Sequence, residues 1–268
     1  MRFELPTLPG AQARALSLLA SRDVDFAEVS HLVETDPALT AAMLRAANSA
    51  ASAPVSPVST VKQALVRVGS DQTRRIVSAA VMGSTFTGLQ RAGLDARELW
   101  RHVVACALLA DATAWGGVSG SAAFTGGLLH DLGRLAMAHQ MPARYAEVVR
   151  LIHEGLEPSW AEARVLGLDH MEAGVAVAHA WQIPDEIVEA IADHHGGDAG
   201  ALGWLTLNAR RIAWSVGIGD GLLCPGEASF DPLSEDAEVL ATFGGPERFI
   251  ETVDWHCDML SPEPRRAA

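Results

Sequence analysis

The sequence has few of the residues that several protein classes require. Its 268 residues include three cysteines, Cys106, Cys224 and Cys257, which are widely spaced and form no Cys-x-x-Cys pair. That number and spacing argue against a disulfide framework and against a cysteine-zinc site. The N-terminus has no apolar signal core, and the uncharged stretch 112–129 is too rich in Gly, Ser and Thr to span a membrane. We therefore expect a soluble cytoplasmic protein that does not act at a membrane.

Basic residues are also scarce. Lys and Arg total 20 against 33 Asp and Glu, which gives a formal net charge of −13. Such a charge repels nucleic acid and anionic membranes over long range. Aromatic residues make up 6% of the chain, alanine is abundant and β-branched runs are short. This composition disfavours nucleic-acid binding and favours helices over strands.

One segment has the outline of a DNA-binding motif. Gly69-Ser70 divides residues 59–82 into two predicted helices, and the second helix carries Arg74 and Arg75. A helix, a short Gly turn and a second helix are typical of a helix-turn-helix. The alternative is an ordinary helix pair in an all-α lobe. The acidic charge of the chain favours this alternative, because one pair of arginines is a small basic surface.

The other sequence patterns also predict helices. Asp36 is a good N-cap with Pro37 in the first turn after it, and an apolar stripe runs from about Asp95 to Trp115. Further helical segments are predicted at 142–155, at 160–182 with a break near Gly167, at 184–195, at 204–219 and at 245–260, with a loop at 224–236. No alternating pattern is long enough to predict a sheet. The predicted fold class is all-α.

Six side chains of metal-binding type fall where these helices begin, end or face inward: His102, His130, Asp131, His170, His194 and His195. Imidazole and carboxylate ligands together suit borderline divalent ions such as Fe, Mn, Ni or Zn. Taken singly, each of these residues is more typical of a hydrogen-bonded core position or of a helix C-terminus. The information therefore lies in their joint order along the chain.

That order resembles a known family. The motifs are Trp100-Arg101-His102, GLLHDLGR (127–134), GLDHMEAG (167–174) and WQIPDEIVEAIADHH (181–195). Together they resemble the HDOD domain, a branch of the HD superfamily of metal-dependent phosphohydrolases. Three earlier segments resemble its opening lobe: LPTLPG (5–10), DPALTAAMLRAANSA (36–50) and STVKQALVRVGSDQTRRIV (59–77). The apparent helix-turn-helix is thereby identified as part of that lobe.

The resemblance covers about residues 5–200 and implies a domain organisation. An N-terminal helical lobe (5–92) would pack on an HD-like helical bundle (93–200), and 201–268 would form a C-terminal helical extension. The resemblance also implies roles by comparison with HD-GYP phosphodiesterases, which open cyclic dinucleotides at two metal ions. His102 resembles their first ligand, His130 and Asp131 their HD pair with Asp131 in the bridging place, His170 the next ligand, and His194 and His195 the double histidine.

The sequence departs from the catalytic pattern at three places. The last HD aspartate aligns with Arg210, with Asn208 as the nearest polar alternative, and a cation there would oppose a metal. The GYP motif is absent after His195, where the chain reads GGDAGALGW. Arg134 stands where the phosphodiesterases carry a lysine, and it would either contact phosphate or lie exposed on a helix. One metal position, built from Asp131, His170, His194 and His195, would survive these changes.

Two functions follow from the resemblance. The first is a bacterial regulatory protein that acts without catalysis through contacts with signalling proteins, with a homodimer as a candidate assembly. The second is a metal-dependent phosphohydrolase acting on a nucleotide or cyclic dinucleotide, in which Asp131 and a metal-bound water would be catalytic. DNA binding is a third, less favoured reading because the chain supplies so little positive charge.

Overall fold

The computed structural model describes residues 26–49, 57–115, 117–196, 200–222, 230–231 and 233–260. Throughout these residues the regular structure is helical and contains no strand, so the all-α prediction is confirmed. The 5–10 motif and most of the predicted loop at 224–236 lie outside the described residues. Among the helices of the described ranges, none is long and apolar enough to cross a membrane.

The helices follow one another with short connections. The first four are α1 (Phe26–Thr35), α2 (Pro37–Ala47), α3 (Val61–Val68) and α4 (Ser70–Thr85), followed by a 3₁₀ turn (Leu89–Ala92). The next seven are α5 (Ala96–Ala112), α6 (Gly120–Leu129), α7 (Leu132–Gln140), α8 (Pro142–His153), α9 (Pro158–Leu166), α10 (His170–Ala180) and α11 (Asp185–Asp193). The last three are α12 (Ala201–Ser215), α13 (Glu235–Ala241) and α14 (Pro246–Leu260). Helix α13 begins inside the segment predicted as a loop.

Local hydrogen bonds explain the start of α2 and the path of the chain after it. The Asp36 carboxylate accepts the amide of Leu39 at 3.2 Å, as expected of an N-cap. After the helix, the Asn48 side chain donates to the carbonyl of Val58 at 2.8 Å and accepts the Val58 amide at 2.7 Å. Asn48 therefore joins the end of α2 to the segment that leads into α3.

The helix pair α3 and α4 is part of the protein's own core. Gly69 ends α3 with φ of 83°, a backbone conformation that glycine adopts without strain. Arg74 donates to the Ser121 hydroxyl at 2.9 Å, and Arg75 forms an ion pair with Asp111. Both arginines thus contact α5 or α6 of the same chain, which supports the helix-pair reading over a DNA-reading motif.

The HD-like bundle is built around α5. This helix packs against α6 on one side and α12 on another, while α10 packs against α7 and α11. Two glycines permit the closest crossings: a Cβ at Gly127 would stand 2.6 Å from the Cys106 carbonyl, and one at Gly133 would stand 1.9 Å from the His170 carbonyl. The ends of α6, α7, α10 and α11 are therefore drawn into one small region beside α5.

Helix α14 connects the two parts of the molecule, because it packs against α2, α4 and α5. Its His256 ring is buried, with Nδ1 2.8 Å from the Thr252 carbonyl and Nε2 2.9 Å from the Gln72 amide nitrogen. Nδ1 therefore donates a proton and Nε2 accepts one. Burial lowers the pKa of His256 to about 4, a net value in which the Thr252 hydrogen bond opposes the effect of burial and the charge of Arg75 adds to it.

This buried imidazole predicts a loss of stability in mild acid. Between pH 6.5 and 4 the unfolded chain binds a proton at His256 and the folded chain does not, so acidification favours unfolding. The free energy of unfolding should fall by up to about 1.4 kcal/mol per pH unit from this group. His256→Asn should flatten the pH dependence of urea denaturation in that window, whereas His31→Asn, at an exposed position of α1, should not. Equal slopes for wild type and His256→Asn would contradict the assignment.

Candidate metal centre

The structure brings the six candidate ligands into one region. His102 lies on α5, His130 and Asp131 lie between α6 and α7, His170 begins α10, and His194 and His195 follow α11. Five of them are buried, and His195 alone of the six is exposed. Ligands that are distant in sequence thus converge from several helices, an arrangement that suits a rigid metal site in a helical bundle.

Asp131 stands at the middle of the centre. Its Oδ1 lies 3.7 Å from His194 Nε2 and 3.9 Å from His170 Nε2. Its Oδ2 lies 3.5 Å from His130 Nε2. The two carboxylate oxygens therefore face different groups of histidines, which is the placement expected for the aspartate of an HD pair.

The first group, the 170–195 trio, consists of His170, His194 and His195. The Nε2 atoms of His170 and His194 are 3.3 Å apart, and those of His170 and His195 are 2.9 Å apart. All three donor atoms lie within 4.8 Å of one another. Ligand atoms around one metal ion are spaced similarly, so the three donor atoms are close enough together to bind the same ion.

Hydrogen bonds on the far side of two rings fix their tautomers. His170 Nδ1 lies 2.5 Å from Glu162 Oε2, and His194 Nδ1 lies 2.8 Å from the Ile191 carbonyl. Neither acceptor can donate a proton, so each Nδ1 donates, and Nε2 is the ring atom that can offer a lone pair to an ion. Burial, reinforced by His130, lowers the pKa of His194 well below its usual value and keeps the ring neutral.

These lone pairs fit a cation. His195 can donate a proton to His170, but this leaves His194 Nε2 facing Asp131 Oδ1, a buried oxygen without a hydrogen-bond partner among the described residues. Two buried acceptors that face each other are costly unless a proton or a metal ion lies between them. Asp131 and the 170–195 trio therefore offer a set of N₃O ligands that could hold a borderline divalent ion.

The second group, the 102–130 trio, consists of His102, Cys106 and His130. His102 Nε2 lies 3.3 Å from His130 Nε2 and 3.7 Å from Cys106 Sγ, and the three donor atoms are within 4.8 Å of one another. Burial lowers the pKa of His102 to about 3, and His130 adds to the effect, so this ring is also neutral. Cys106 is not among the six candidate ligands that the sequence predicts.

A family model described as the HDOD domain matches residues 5–196. The chain belongs to the HDOD domain family. An uncharacterized Treponema pallidum protein is 23% identical over 197 residues, which are 72% of this chain and 38% of that protein. The HDOD chain thus spans less than half the length of this relative.

Solved structures share the fold along nearly the whole HDOD chain. An HDOD domain protein of unknown function from Geobacter sulfurreducens is 24% identical with a TM-score of 0.72, covering 97% of this chain and 94% of that one. A candidate phosphohydrolase from Shewanella amazonensis is 23% identical with a TM-score of 0.69, covering 96% and 95%. A candidate signal transduction protein from Marinobacter aquaeolei is 22% identical with a TM-score of 0.76, covering 97% and 61%. At these identities the likeness establishes the fold alone.

Arg134 of this HDOD protein is fully buried, so the expectation of an exposed helix position is wrong. Its NH1 donates to Asp131 Oδ2 at 2.9 Å and to Asp220 Oδ2 at 3.3 Å, and its Nε lies 3.9 Å from Glu162 Oε1. Burial opposes the charge on Asp131, yet Arg134, helped by His130, holds the pKa of that carboxyl well below its usual value. Arg134 can be buried because the negative charges of three nearby carboxylates balance the positive charge of its guanidinium.

Arg210 lies at the other side of the centre. Its NH1 donates to the His194 carbonyl at 2.9 Å, so α12 is joined to the double histidine at the end of α11. Its positive charge contributes to lowering the pKa of His102 and of His195, whose pKa burial lowers to about 3. Arg210 therefore lies near the candidate ligands, as its alignment with the last HD aspartate predicts.

Glu162 is the orienting residue that sequence reasoning missed. It is buried on α9 and accepts the Tyr145 hydroxyl at 2.7 Å, the His170 amide at 2.9 Å and the His170 ring at 2.5 Å. Such a carboxylate behind a ligand histidine fixes its orientation and raises its basicity. The available signal was a charged residue four positions before Leu166, on the apolar face of α9.

Proposed function

We propose that this HDOD chain is a bacterial regulatory protein that acts through contacts with signalling proteins, and that its HD centre does not hydrolyse phosphodiesters. The candidate signal transduction protein from Marinobacter aquaeolei, which shares the fold, is consistent with this role. The observation that carries the proposal is the pairing of Asp131 with Arg134. This ion pair involves Asp131 Oδ2, the oxygen that faces the position of a second metal ion.

Two-metal hydrolysis holds two ions about 3.5–4 Å apart, and the aspartate of an HD pair would bridge them. In this chain Asp131 Oδ2, the oxygen that faces the 102–130 trio, accepts a hydrogen bond from Arg134 at 2.9 Å. The positive charge of the guanidinium opposes a second cation at that oxygen, whereas Oδ1 faces the 170–195 trio. Asp131 is thereby disfavoured as a bridge between two ions, and we expect it to serve one.

Access to the centre also supports a non-catalytic role. Asp131, His170 and His194 are fully buried, and His195 forms the exposed rim. A metal ion bound there would supply Lewis acidity and an acidic bound water. A phosphodiester could approach this centre from the His195 rim, but Asp131 itself lies buried behind it. We therefore expect the centre to hold helices α7, α10 and α11 in place for partner contacts.

Metal analysis and hydrolysis assays test the proposal together. We expect protein purified without chelator to retain a divalent ion that Asp131→Ala loses. We expect no hydrolysis of cyclic dinucleotides or generic phosphodiesters in Mn²⁺ or Fe²⁺ buffer above the level of that variant. Turnover that depends on Asp131 would overturn the proposal in favour of the phosphohydrolase alternative. The ligand-like spacing of the 170–195 trio supports that alternative.

Complementation separates regulation from catalysis in the cell. His195→Ala removes the rim ligand and leaves Asp131, His170 and His194 to hold a cation. If the chain acts through partner contacts, this variant should restore the phenotype of a deletion strain as fully as the wild-type gene does. Failure of a folded, normally abundant His195→Ala protein to complement would argue for chemistry at the rim.

A further inference from the structure

Cys106 lies one helical turn after His102 on α5, so both side chains leave the same face of the helix. Both are fully buried, as is His130 on the neighbouring segment. The wide spacing of the three cysteines in sequence argues against a site built from cysteine pairs. In the structure, however, one cysteine meets two histidines.

The distances in the 102–130 trio match a tetrahedral N₂S site. Around zinc, with Zn–N of about 2.0–2.1 Å and Zn–S of about 2.3 Å, neighbouring ligand atoms are about 3.4 Å apart for N and N and about 3.6 Å apart for N and S. The observed separations are 3.3 Å between His102 Nε2 and His130 Nε2 and 3.7 Å between His102 Nε2 and Cys106 Sγ. Two of the three separations thus match a zinc site, and the third pair, Cys106 Sγ and a ring nitrogen of His130, lies within 4.8 Å.

Backbone contacts hold the trio in this arrangement. His130 Nδ1 lies 2.7 Å from the Gly127 carbonyl, so it donates there and directs its Nε2 lone pair toward His102. Gly127 is also where α6 meets α5, since a Cβ at this position would stand 2.6 Å from the Cys106 carbonyl. One helix crossing therefore positions His130 and Cys106 relative to each other.

The 102–130 trio needs an anionic ligand to balance the charge of a metal ion. In the HD pattern the last aspartate is such a ligand, and Arg210 aligns with that aspartate in this chain. Asp131 Oδ2 is paired with Arg134, so Cys106 is the member of the trio that can supply an anionic ligand. Burial raises the pKa of its thiol, so the thiolate forms when a bound ion displaces the proton. Thiolate and imidazole ligands favour Zn²⁺ or Co²⁺ over Mn²⁺ or Mg²⁺. The charge of Arg210 weakens the site for all ions but does not change this preference.

We propose that His102, Cys106 and His130 form a thiophilic metal site, in which the Cys106 thiolate replaces the missing carboxylate of the HD pattern. When the ion binds, the Cys106 S–H bond breaks, the proton passes to solvent and a sulfur–metal bond forms. The oxidation state of neither atom changes. The proposal goes beyond the regulatory function and does not depend on it, because the site is defined by its ligands and not by turnover or partners.

Cobalt spectroscopy on the full chain tests the site. The starting protein is the Cys224→Ser, Cys257→Ser double variant, reduced and freed of metal by chelator, in which Cys106 is the one remaining cysteine. Addition of Co²⁺ should produce a near-ultraviolet thiolate-to-cobalt charge-transfer band and the intense visible bands of tetrahedral cobalt. Zn²⁺ should displace both, and an equal concentration of Mn²⁺ should not.

Two further variants locate the band. Cys106→Ser should abolish the charge-transfer band, whereas His195→Ala, in the 170–195 trio, should leave it unchanged. A band that survives Cys106→Ser, or the absence of a band when Co²⁺ is added in excess over both trios, would overturn the proposal. If Cys106→Ser does not fold, X-ray absorption of the zinc-loaded double variant decides instead. One sulfur at about 2.3 Å from zinc is expected, and a shell of nitrogen and oxygen alone refutes the site.

Discussion

Gly133→Ala should lower the free energy of unfolding by about 3 kcal/mol or more, the upper range for overpacking a closed interface. A Cβ at Gly133 would stand 1.9 Å from the His170 carbonyl and 2.5 Å from the Gly174 amide nitrogen. Both obstacles are backbone atoms, so no side chain can rotate away. Helices α7 and α10 must separate, and this separation moves Asp131 away from His170. Chemical denaturation measures the loss, and metal content should fall with it.

Gly83→Ala is the matched control for this substitution. Gly83 lies within α4, and a Cβ there would meet nothing within 4 Å. Alanine should therefore raise stability by about 0.5–1 kcal/mol through its better helix propensity. A Gly133→Ala protein as stable as wild type would show that α7 and α10 are not packed as described.

Arg134→Met should cost about 3–5 kcal/mol at neutral pH, the range for removing one partner of a buried ion pair. The guanidinium is fully buried and lies between Asp131, Asp220 and Glu162. Methionine fills similar space but leaves these carboxylates without their cation. The loss is measured by urea denaturation in the presence of chelator, so that metal binding does not contribute.

The pH dependence of this loss identifies its cause. Without Arg134, burial raises the pKa of Asp131, so the variant takes up a proton in mild acid and regains stability relative to wild type. The difference in unfolding free energy should therefore shrink as the pH falls from 7 toward 5. Arg150→Met, which removes exposed and solvent-screened ion pairs to Glu147 and Glu154, should lower stability far less than Arg134→Met does. A pH-independent loss for Arg134→Met would point to packing and not to charge.

The cluster of candidate ligands could be predicted from sequence because the information lies in an order of motifs. The His130-Asp131 pair, His170 and the double histidine each occur next to a helix end that sequence reasoning detects, and His102 lies within the predicted helix from about Asp95 to Trp115. The helix boundaries followed similarly, since Pro37, Gly69 and Gly167 mark ends that the structure places within a residue or two of the prediction. Agreement between local signals and overall fold makes such predictions transferable.

The residues behind the ligands could not be predicted in the same way. The burial of Arg134 depends on Asp220, which is 86 positions away in sequence. The role of Glu162 depends on α9 and α10 meeting at His170. The position of Cys106 among the candidate ligands depends on the packing of α5 against the turn that carries His130. Each of these depends on the direction of a side chain across a contact between elements, which periodicity within one helix does not specify.

The most direct test of the central claim is anomalous diffraction at the zinc absorption edge from crystals of the zinc-loaded protein. We predict a peak within about 2.0–2.3 Å of His170 Nε2, His194 Nε2 and Asp131 Oδ1, with Arg134 still paired to the other oxygen of that carboxylate. A map without a peak among these three atoms, or one ion bridged to a second through Asp131 with Arg134 displaced, would contradict the account.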